Sequence, residues 1–284
     1  MPLIRLMAWL SCTLGRAPTR IILHGIAVYF VIFGGRARRS SRHFLKRALG
    51  REPNLVDKYK LFFHFSTCLH DRVFFLRNQD WRFDIVRHGL ELFEETQGAL
   101  LMGAHLGSFE ALRAAGRTRA RRRVVMAMFE DNARKINRVL HAIAPDAMSD
   151  VVGLGRVQSM LELAENLEQG SLVGVLADRT LGDEPVMMVD FLGTPAPFPT
   201  GPMRMAAALR QPVIFMAALY RGGNKYEMYF ELLADFSKLE GVSRAERGVL
   251  VENAVRAYAA RLEHYARLSP YDWFNFFDFW ALRK

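Results

Sequence analysis

His105 and Glu110 are the two residues whose types and spacing could do chemistry. They stand five positions apart, within the stretch 101–110. On one continuous α-helix that spacing would put the two side chains roughly 140° apart, too far round the helix to touch. The backbone must therefore turn between them. A carboxylate that holds one imidazole nitrogen leaves the other nitrogen free to accept a proton, so the pair predicts a general base.

The flanking residues predict that turn. Residues 99–104 form a short apolar run typical of a buried parallel strand, and residues 111–115 favour a helix. Gly107 stands between them as a breaker and Ser108 as a candidate N-cap. His105 is then expected at the carboxyl end of a strand, the edge where open α/β sheets bind ligands. The alternative is a satisfied core histidine, with Glu110 as a favourable charge near a helix N-terminus.

The rest of the chain alternates between strand and helix patterns. Because no G-x-S-x-G nucleophile pattern occurs, the simplest chemistry is deprotonation of a substrate hydroxyl. The alternation predicts an α/β fold, with a mixed, mainly parallel sheet flanked by helices. Strands are predicted at 124–128, 172–177, 186–191, 213–219 and 226–232, and helices at 55–79, 130–141, 156–168, 201–209 and from a capping box at Ser243. The aromatic tail at 271–280 either caps the core or lies at a lipid interface.

The N-terminus raises the question of a membrane. Residues 21–35 are fifteen uncharged residues, about 22 Å as a helix against a hydrocarbon core of about 30 Å. We expect residues 1–50 to form a membrane anchor with a basic juxtamembrane segment, either a tilted span or a helix in the interface. Residues 51–284 would form the catalytic domain, on the cytoplasmic side. The alternative is a buried pair of core helices. The basic residues of the segment are Arg36, Arg38, Arg39, Arg42, Lys46, Arg47 and Arg51.

The composition indicates an anionic partner. A net charge of +10 suits nucleic acid, anionic lipid or an acidic carrier protein. The cluster 117–123, five arginines in seven residues, is either a solvated helix end or a docking patch. The basic residues are not interleaved with aromatic ones, which argues against single-stranded nucleic acid. Cys12 and Cys68 show neither disulfide nor metal-ligand spacing, so we expect a reducing compartment and no metal or cofactor.

Three blocks of sequence resemble a known family. His-x4-Glu after an apolar strand is similar to the signature of the lysophospholipid acyltransferase superfamily, specifically the bacterial lipid A late (lauroyl and myristoyl) acyltransferases. The blocks 174–179 and 189–202 resemble further elements of that family in the same order. The likeness spans most of the chain. Arg179 stands where the family usually has Gln, and the ending 270–280 looks more like relatives from aryl polyene or other specialised lipid pathways.

The resemblance implies a membrane-associated O-acyltransferase at the bacterial inner membrane. It would move a fatty acyl chain from an acyl thioester, acyl carrier protein more than acyl-CoA, to a hydroxyl of a lipid or glycolipid such as a lipid A precursor. His105, oriented by Glu110, would be the general base. The alternatives are the same chemistry on a polyene, ornithine lipid or phospholipid, or a non-catalytic basic protein that binds membranes or nucleic acid.

Several further residues are predicted to contact substrate. Backbone N–H groups in the 107–108 loop or the 200–201 turn are candidate oxyanion donors. Arg204 lies in the first turn of a predicted helix, where an arginine opposes the helix dipole but suits a bound phosphate; the alternative is a surface arginine. The resemblance adds Arg134, in a second substrate-contacting segment, and the pair at 178–179. The predicted substrate-binding residues are Gly107, Ser108, Arg134, Asp178, Arg179, Thr200, Gly201 and Arg204.

Overall fold

The computed structural model describes residues 11, 13–94, 96–118, 122–129, 151–179 and 184–281, with the backbone alone at 115–118 and 129. Its named helices are α1 (Arg16–Phe33), α2 (Gly35–Leu49), α3 (Leu55–Leu76), α4 (Phe109–Thr118), α5 (Val157–Glu168), α6 (Gly201–Ala208) and α7 (Arg244–Leu268). Its strands are β1 (Asp84–His88), β2 (Ala99–Gly103), β3 (Val124–Phe129), β4 (Val151–Leu154), β5 (Leu172–Leu176), β6 (Val186–Phe191), β7 (Thr194–Pro199), β8 (Pro212–Tyr220) and β9 (Lys225–Asp235).

Within the described residues, the main sheet has seven strands in the order β1-β9-β8-β2-β5-β3-β4. Neighbouring strands are parallel except β8 and β9, which confirms the predicted mixed, mainly parallel α/β fold. The strand predicted at 186–191 does not join this sheet, because β6 and β7 pair as a separate antiparallel hairpin. Its turn, Leu192 and Gly193, has positive φ at both residues, as tight hairpins require. The helix predicted near 130–141 lies outside the described residues.

The centre of the sheet is buried on both faces. β2 lies between β8 and β5, and all five of its residues are buried. Leu100 and Met102 pack into the core that contains residues of α7, whereas Leu101 faces the core formed with α3 and α4. Helices therefore cover both faces, and the carboxyl end of β2 is held firmly between its neighbours.

The two N-terminal helices pack onto the rest of the described chain. α1 buries a stripe of Thr19, Leu23 and Ala27, and α2 places Phe44 and Leu45 in the same core as the sheet. Residues on both sides of the predicted boundary at 50/51 thus share one core. Among the described residues one helix, α1, is long and apolar enough to cross a membrane. Its exposed apolar side chains are Ile21, Ile22, Val28, Tyr29, Ile32 and Phe33.

A buried ion pair fastens α1 to α3. The Arg16 guanidinium contacts both carboxylate oxygens of Asp71, at 2.6 and 2.7 Å, and the Tyr226 hydroxyl donates to Asp71 at 2.8 Å. Burial alone raises the pKa of Asp71, but its contacts with His70 and Arg16 outweigh burial and hold the pKa below its usual value. Asp71 is therefore ionised, and Arg16 depends on its charge.

We expect Asp71→Asn to lower the free energy of unfolding by about 3–5 kcal/mol, because it leaves Arg16 largely buried without a counter-charge. Since the folded-state pKa of Asp71 is depressed, this stabilisation is present above the unfolded pKa of about 4 and is lost as pH falls. Denaturant unfolding of both proteins between pH 7 and pH 3 measures the difference. Glu52→Gln, which breaks an exposed pairing with Arg42, should leave the free energy of unfolding almost unchanged. Equal losses in the two variants would contradict the prediction.

Candidate active site

His105 and Asp178 meet at the carboxyl edge of the sheet. In the parallel pairing of β2 with β5, Gly103 lies opposite Leu176, so the positions two residues beyond each strand are level. The His105 Nδ1 and Asp178 Oδ1 atoms are 2.8 Å apart, and the His105 backbone N–H donates to Asp178 Oδ2 at 3.0 Å. The register of two neighbouring strands therefore builds a histidine–carboxylate pair.

Asp178 is an ionised acceptor despite its burial. Its Oδ2 also accepts from the Trp273 indole N–H at 2.9 Å. Burial alone raises the pKa of Asp178, but the charge and hydrogen bond of His105, the charge of Arg179 and the Trp273 donor hold it well below its usual range. The carboxylate thus accepts the Nδ1 proton, which fixes the tautomer and leaves Nε2 available on the cavity side. The His105 side chain is 31% exposed.

The loop between His105 and α4 has the predicted turn. Gly107 has φ +72°, and a Cβ there would lie 1.7 Å from the Ala218 carbonyl oxygen, so only glycine fits. The Ser108 hydroxyl accepts from the Ala111 N–H at 3.2 Å, which confirms the predicted N-cap. The Gly107 and Ser108 N–H groups donate to the Asp272 and Ala218 carbonyls. Because the fold uses both donors, the prediction that they stabilise an oxyanion is wrong.

Glu110 occupies the first turn of α4, as predicted, but it makes a different contact. Its carboxylate forms an ion pair with Arg72 of α3. The carboxylate on His105 Nδ1 is Asp178, which corrects the prediction that Glu110 orients the imidazole. The strand register brings Asp178 level with His105, whereas α4 directs Glu110 toward α3. Arg72 and Glu110 nevertheless line the same cavity as His105.

A cavity of about 1100 Å³ opens beside His105. Apolar side chains from β3, β5, α5 and the aromatic tail form most of its wall, and the N-terminal residues of α4, α5 and α6 also reach it. Helix N-termini carry partial positive charge and favour anions. The cavity therefore suits an amphiphile with a long apolar part and an anionic group. Its charged lining residues are Arg72, Glu110, Arg156, Arg179 and Glu184.

Some of the remaining residues predicted to contact substrate line the cavity, and others do not. Arg179 and Gly201 line the cavity, and Arg179 donates to the Phe274 carbonyl at 3.3 Å. The Thr200 N–H donates to the Pro185 carbonyl at 3.1 Å, so it is not a free oxyanion donor. Arg204 is exposed and does not line the cavity, because α6 directs Pro202 and Met205 toward the cavity instead. Arg204 is therefore a surface arginine, the alternative given above. Arg134 lies outside the described residues.

Sequence reasoning missed two sources of site residues. Arg72 lies within the phenylalanine-rich helix α3, where neighbouring aromatic residues gave no sign that this side chain faces a cavity. The tail supplies Trp273 against Asp178, with Phe274, Phe276 and Phe277 in the cavity wall. The density of aromatic residues marked the tail, but only the folded structure shows that Trp273 is buried in the core.

Within the described ranges, no group of three His, Cys, Asp or Glu side chains is placed to hold a metal ion. Cys68 lies in the cavity wall, where burial raises the pKa of its thiol well above the usual value. It is therefore a neutral thiol. Among the described residues that line the cavity, the groups that can take part in chemistry are therefore the His105 imidazole and the charged side chains around it.

A histidine–carboxylate pair at the strand ends, above a large apolar cavity, is the arrangement expected of an α/β enzyme that acts on lipid-like substrates. The chain belongs to the bacterial lipid A biosynthesis acyltransferase family, whose model matches residues 3–281. It is therefore an acyltransferase of lipid biosynthesis. Among solved structures, it is similar to the 1-acyl-sn-glycerophosphate (LPA) acyltransferase PlsC from Thermotoga maritima, with a TM-score of 0.40 and 17% identity over 92% of this chain and 95% of that one. Comparison with the curated proteins finds no match.

Proposed function

We propose that this acyltransferase moves a fatty acyl chain from an acyl thioester to a hydroxyl of a lipid or glycolipid, with His105 as general base and Asp178 as its orienting carboxylate. The observation that carries the proposal is the His105 imidazole, held at Nδ1 by a buried, ionised Asp178 and facing a large apolar cavity. Family membership supports the enzymatic alternative over a non-catalytic binding protein.

The proposed reaction uses one base and no covalent enzyme intermediate. His105 Nε2 takes the proton of the acceptor hydroxyl while the hydroxyl oxygen attacks the carbonyl carbon of the thioester. The tetrahedral oxyanion then collapses, the carbon–sulfur bond breaks, and the leaving thiolate takes the proton back from His105. The products are an ester and a free thiol. Asp178 keeps its charge throughout and stabilises the imidazolium in between.

The charged lining supports an anionic group on the acceptor. Arg156 and Arg179 contribute positive charge to the cavity lining, and Gly201, the first residue of α6, also lines the cavity. A phosphorylated lipid A precursor fits these features, and so does a phospholipid. The net charge of +10 suits either anionic donor, and the family resemblance favours acyl carrier protein over CoA.

The experiment is an acyl-transfer assay with the purified chain. Acyl carrier protein and CoA thioesters of several chain lengths are each combined with a lipid A precursor, a lysophospholipid, a lyso-ornithine lipid or a hydroxylated aryl polyene, and intact mass detects the gained acyl group. We expect one acceptor class to gain a single acyl chain, with the carrier-protein donor preferred. Absence of transfer to every acceptor, with both donors, would contradict the proposal. Lipid profiling of a deletion strain identifies the natural acceptor.

We further propose that α1 lies in the interface of the cytoplasmic face of the inner membrane, without crossing the bilayer. Its buried stripe packs along α3, and the Arg20 guanidinium donates to the Tyr220 hydroxyl at 2.8 Å. A spanning α1 would therefore carry α3 into the hydrocarbon. Each charged side chain at the bilayer centre costs about 2.5–3.5 kcal/mol. The ionisable residues of α3 include Asp57, Lys58, Lys60, His64, Asp71 and Arg72.

Replacing Ile21 and Phe33 with Asp should weaken binding to vesicles that contain anionic lipid at least tenfold. Both side chains are exposed on α1, and each buried apolar side chain contributes about 1.5–3 kcal/mol. Val249→Asp is the control: it is also exposed, but α7 begins after β9, at the sheet edge opposite His105. Vesicle flotation measures the binding. Equal loss in both proteins, or resistance of the wild type to alkaline extraction, would contradict interfacial binding.

A further inference from the structure

The C-terminal tail, residues 269–280, passes beside the loop that carries His105 and is joined to it by backbone hydrogen bonds. The Phe274 N–H donates to the His105 carbonyl at 2.7 Å, and an antiparallel bridge joins Leu106 to Trp273. On its other side, the loop is joined to β8 by a bridge between Gly107 and Ala218. The backbone that carries His105 is thus held between β8 and the tail.

The Trp273 indole reaches the acid of the catalytic pair from this tail. Its N–H donates to Asp178 Oδ2 at 2.9 Å, and its side chain is fully buried. The ring is packed edge-on against Phe44, Phe191 and Phe279, with centroid distances of 4.7, 5.3 and 5.0 Å. This packing prevents the indole from turning, so the direction of its N–H is fixed by the core.

We propose that Trp273 is a positioning residue for acyl transfer, which holds Asp178 Oδ2 so that Oδ1 aims the His105 imidazole into the cavity. The proposal rests on the proposed role of His105 as base. Among the described residues, the carboxylate would then keep only its two hydrogen bonds from His105, and its negative charge would be less dispersed. Residues that hydrogen-bond to the partner of a catalytic side chain commonly set the orientation and the basicity of that side chain.

The effect should be visible in the pH profile. A more concentrated charge on Asp178 favours the protonated imidazole, so loss of the indole N–H moves the acid limb of the kcat profile to higher pH. A substitution at position 273 leaves in place the other charged and titratable groups around the His105–Asp178 pair. A displacement of the acid limb therefore reports the loss of the indole N–H. Those groups are Arg72, Glu110, Arg156, Arg179, Glu184 and Tyr258.

The sharpest test replaces Trp273 with β-(3-benzothienyl)alanine, which has the indole shape but carries sulfur in place of N–H. We expect kcat to fall about ten- to a hundredfold, the usual effect of one hydrogen bond to a charged group, with the acid limb displaced upward. Trp273→Phe should show the same displacement.

Trp280→Phe is the matched control, because it removes an indole N–H from the same tail that donates to the Phe191 carbonyl and not to Asp178. It should lower the melting temperature and leave the acid limb in place. A benzothienyl variant with wild-type kcat and pH profile would overturn the role of Trp273. His105→Ala separates the two proposals: an active His105→Ala refutes the base itself, whereas an inactive one beside a wild-type benzothienyl protein refutes only the positioning role.

Discussion

Replacing His105 with alanine is expected to lower kcat by a factor of about 10² to 10⁴, the usual contribution of a general base. The substitution removes Nε2, the proton acceptor that the bond between Nδ1 and Asp178 leaves on the cavity side. KM should change little, because the apolar wall and the arginines that line the cavity remain. Acyl transfer measured over a range of acceptor concentrations separates the two constants.

A control histidine lies on β1, an edge strand of the sheet. His88 of β1 stacks on Tyr229, with ring centroids 4.8 Å apart, and does not line the cavity. His88→Ala should therefore retain wild-type turnover. His88 is exposed, so His88→Ala should keep nearly the wild-type melting temperature. His105→Ala leaves Asp178 Oδ1 without its partner and should melt at a somewhat lower temperature, so its kcat is measured well below that melting temperature. Near wild-type turnover in His105→Ala would remove this residue from the mechanism.

The elements that sequence could predict are those whose signals are local. The apolar run at 99–104 corresponds to β2, and the Ser243–Glu246 capping box begins α7 at the predicted residue. Gly107 and Ser108 also form the predicted turn and N-cap, because positive φ and capping are signalled mainly by the local sequence. Such signals placed His105 correctly at the carboxyl edge of the sheet.

The partner of His105 could not be found in this way. Asp178 is 73 residues away in sequence, and it meets His105 only because β5 pairs beside β2 in one particular register. Five residues of separation made Glu110 the obvious candidate, but the direction in which α4 leaves its cap decides where that carboxylate points. Arg72 and Trp273 were missed for the same reason, since each reaches the site through packing between distant elements.

For the N-terminal segment, packing against the rest of the protein decides how a hydrophobic run is used in the fold. Apolar composition alone predicts an anchor separate from the catalytic domain. In the structure α1 is fastened by the buried pair of Arg16 and Asp71, and α2 contributes Phe44 to the central core. Hydropathy does not register contacts of this kind, because they depend on side chains more than fifty residues away.

Asp178→Asn is expected to lower kcat by a factor of about 10² to 10⁴, by changing the tautomer of His105. The Oδ2 position accepts two N–H groups, from the His105 backbone and from Trp273. The amide oxygen of Asn must take that position, which turns the NH₂ group toward His105 Nδ1. Nδ1 then has to be the acceptor and Nε2 carries the proton, so the imidazole cannot deprotonate a hydroxyl.

Glu110→Gln is the comparison that separates the two carboxylates. It keeps the size of the side chain and removes the charge opposite Arg72, which should alter acceptor binding and lower kcat less than about tenfold. Steady-state kinetics of both variants, together with imidazole nitrogen NMR to identify the tautomer, measures the contrast. A severe defect in Glu110→Gln beside a mild one in Asp178→Asn would return the orienting role to Glu110. The contrast is decisive because both carboxylates are buried beside the same cavity, and only Asp178 bonds to Nδ1.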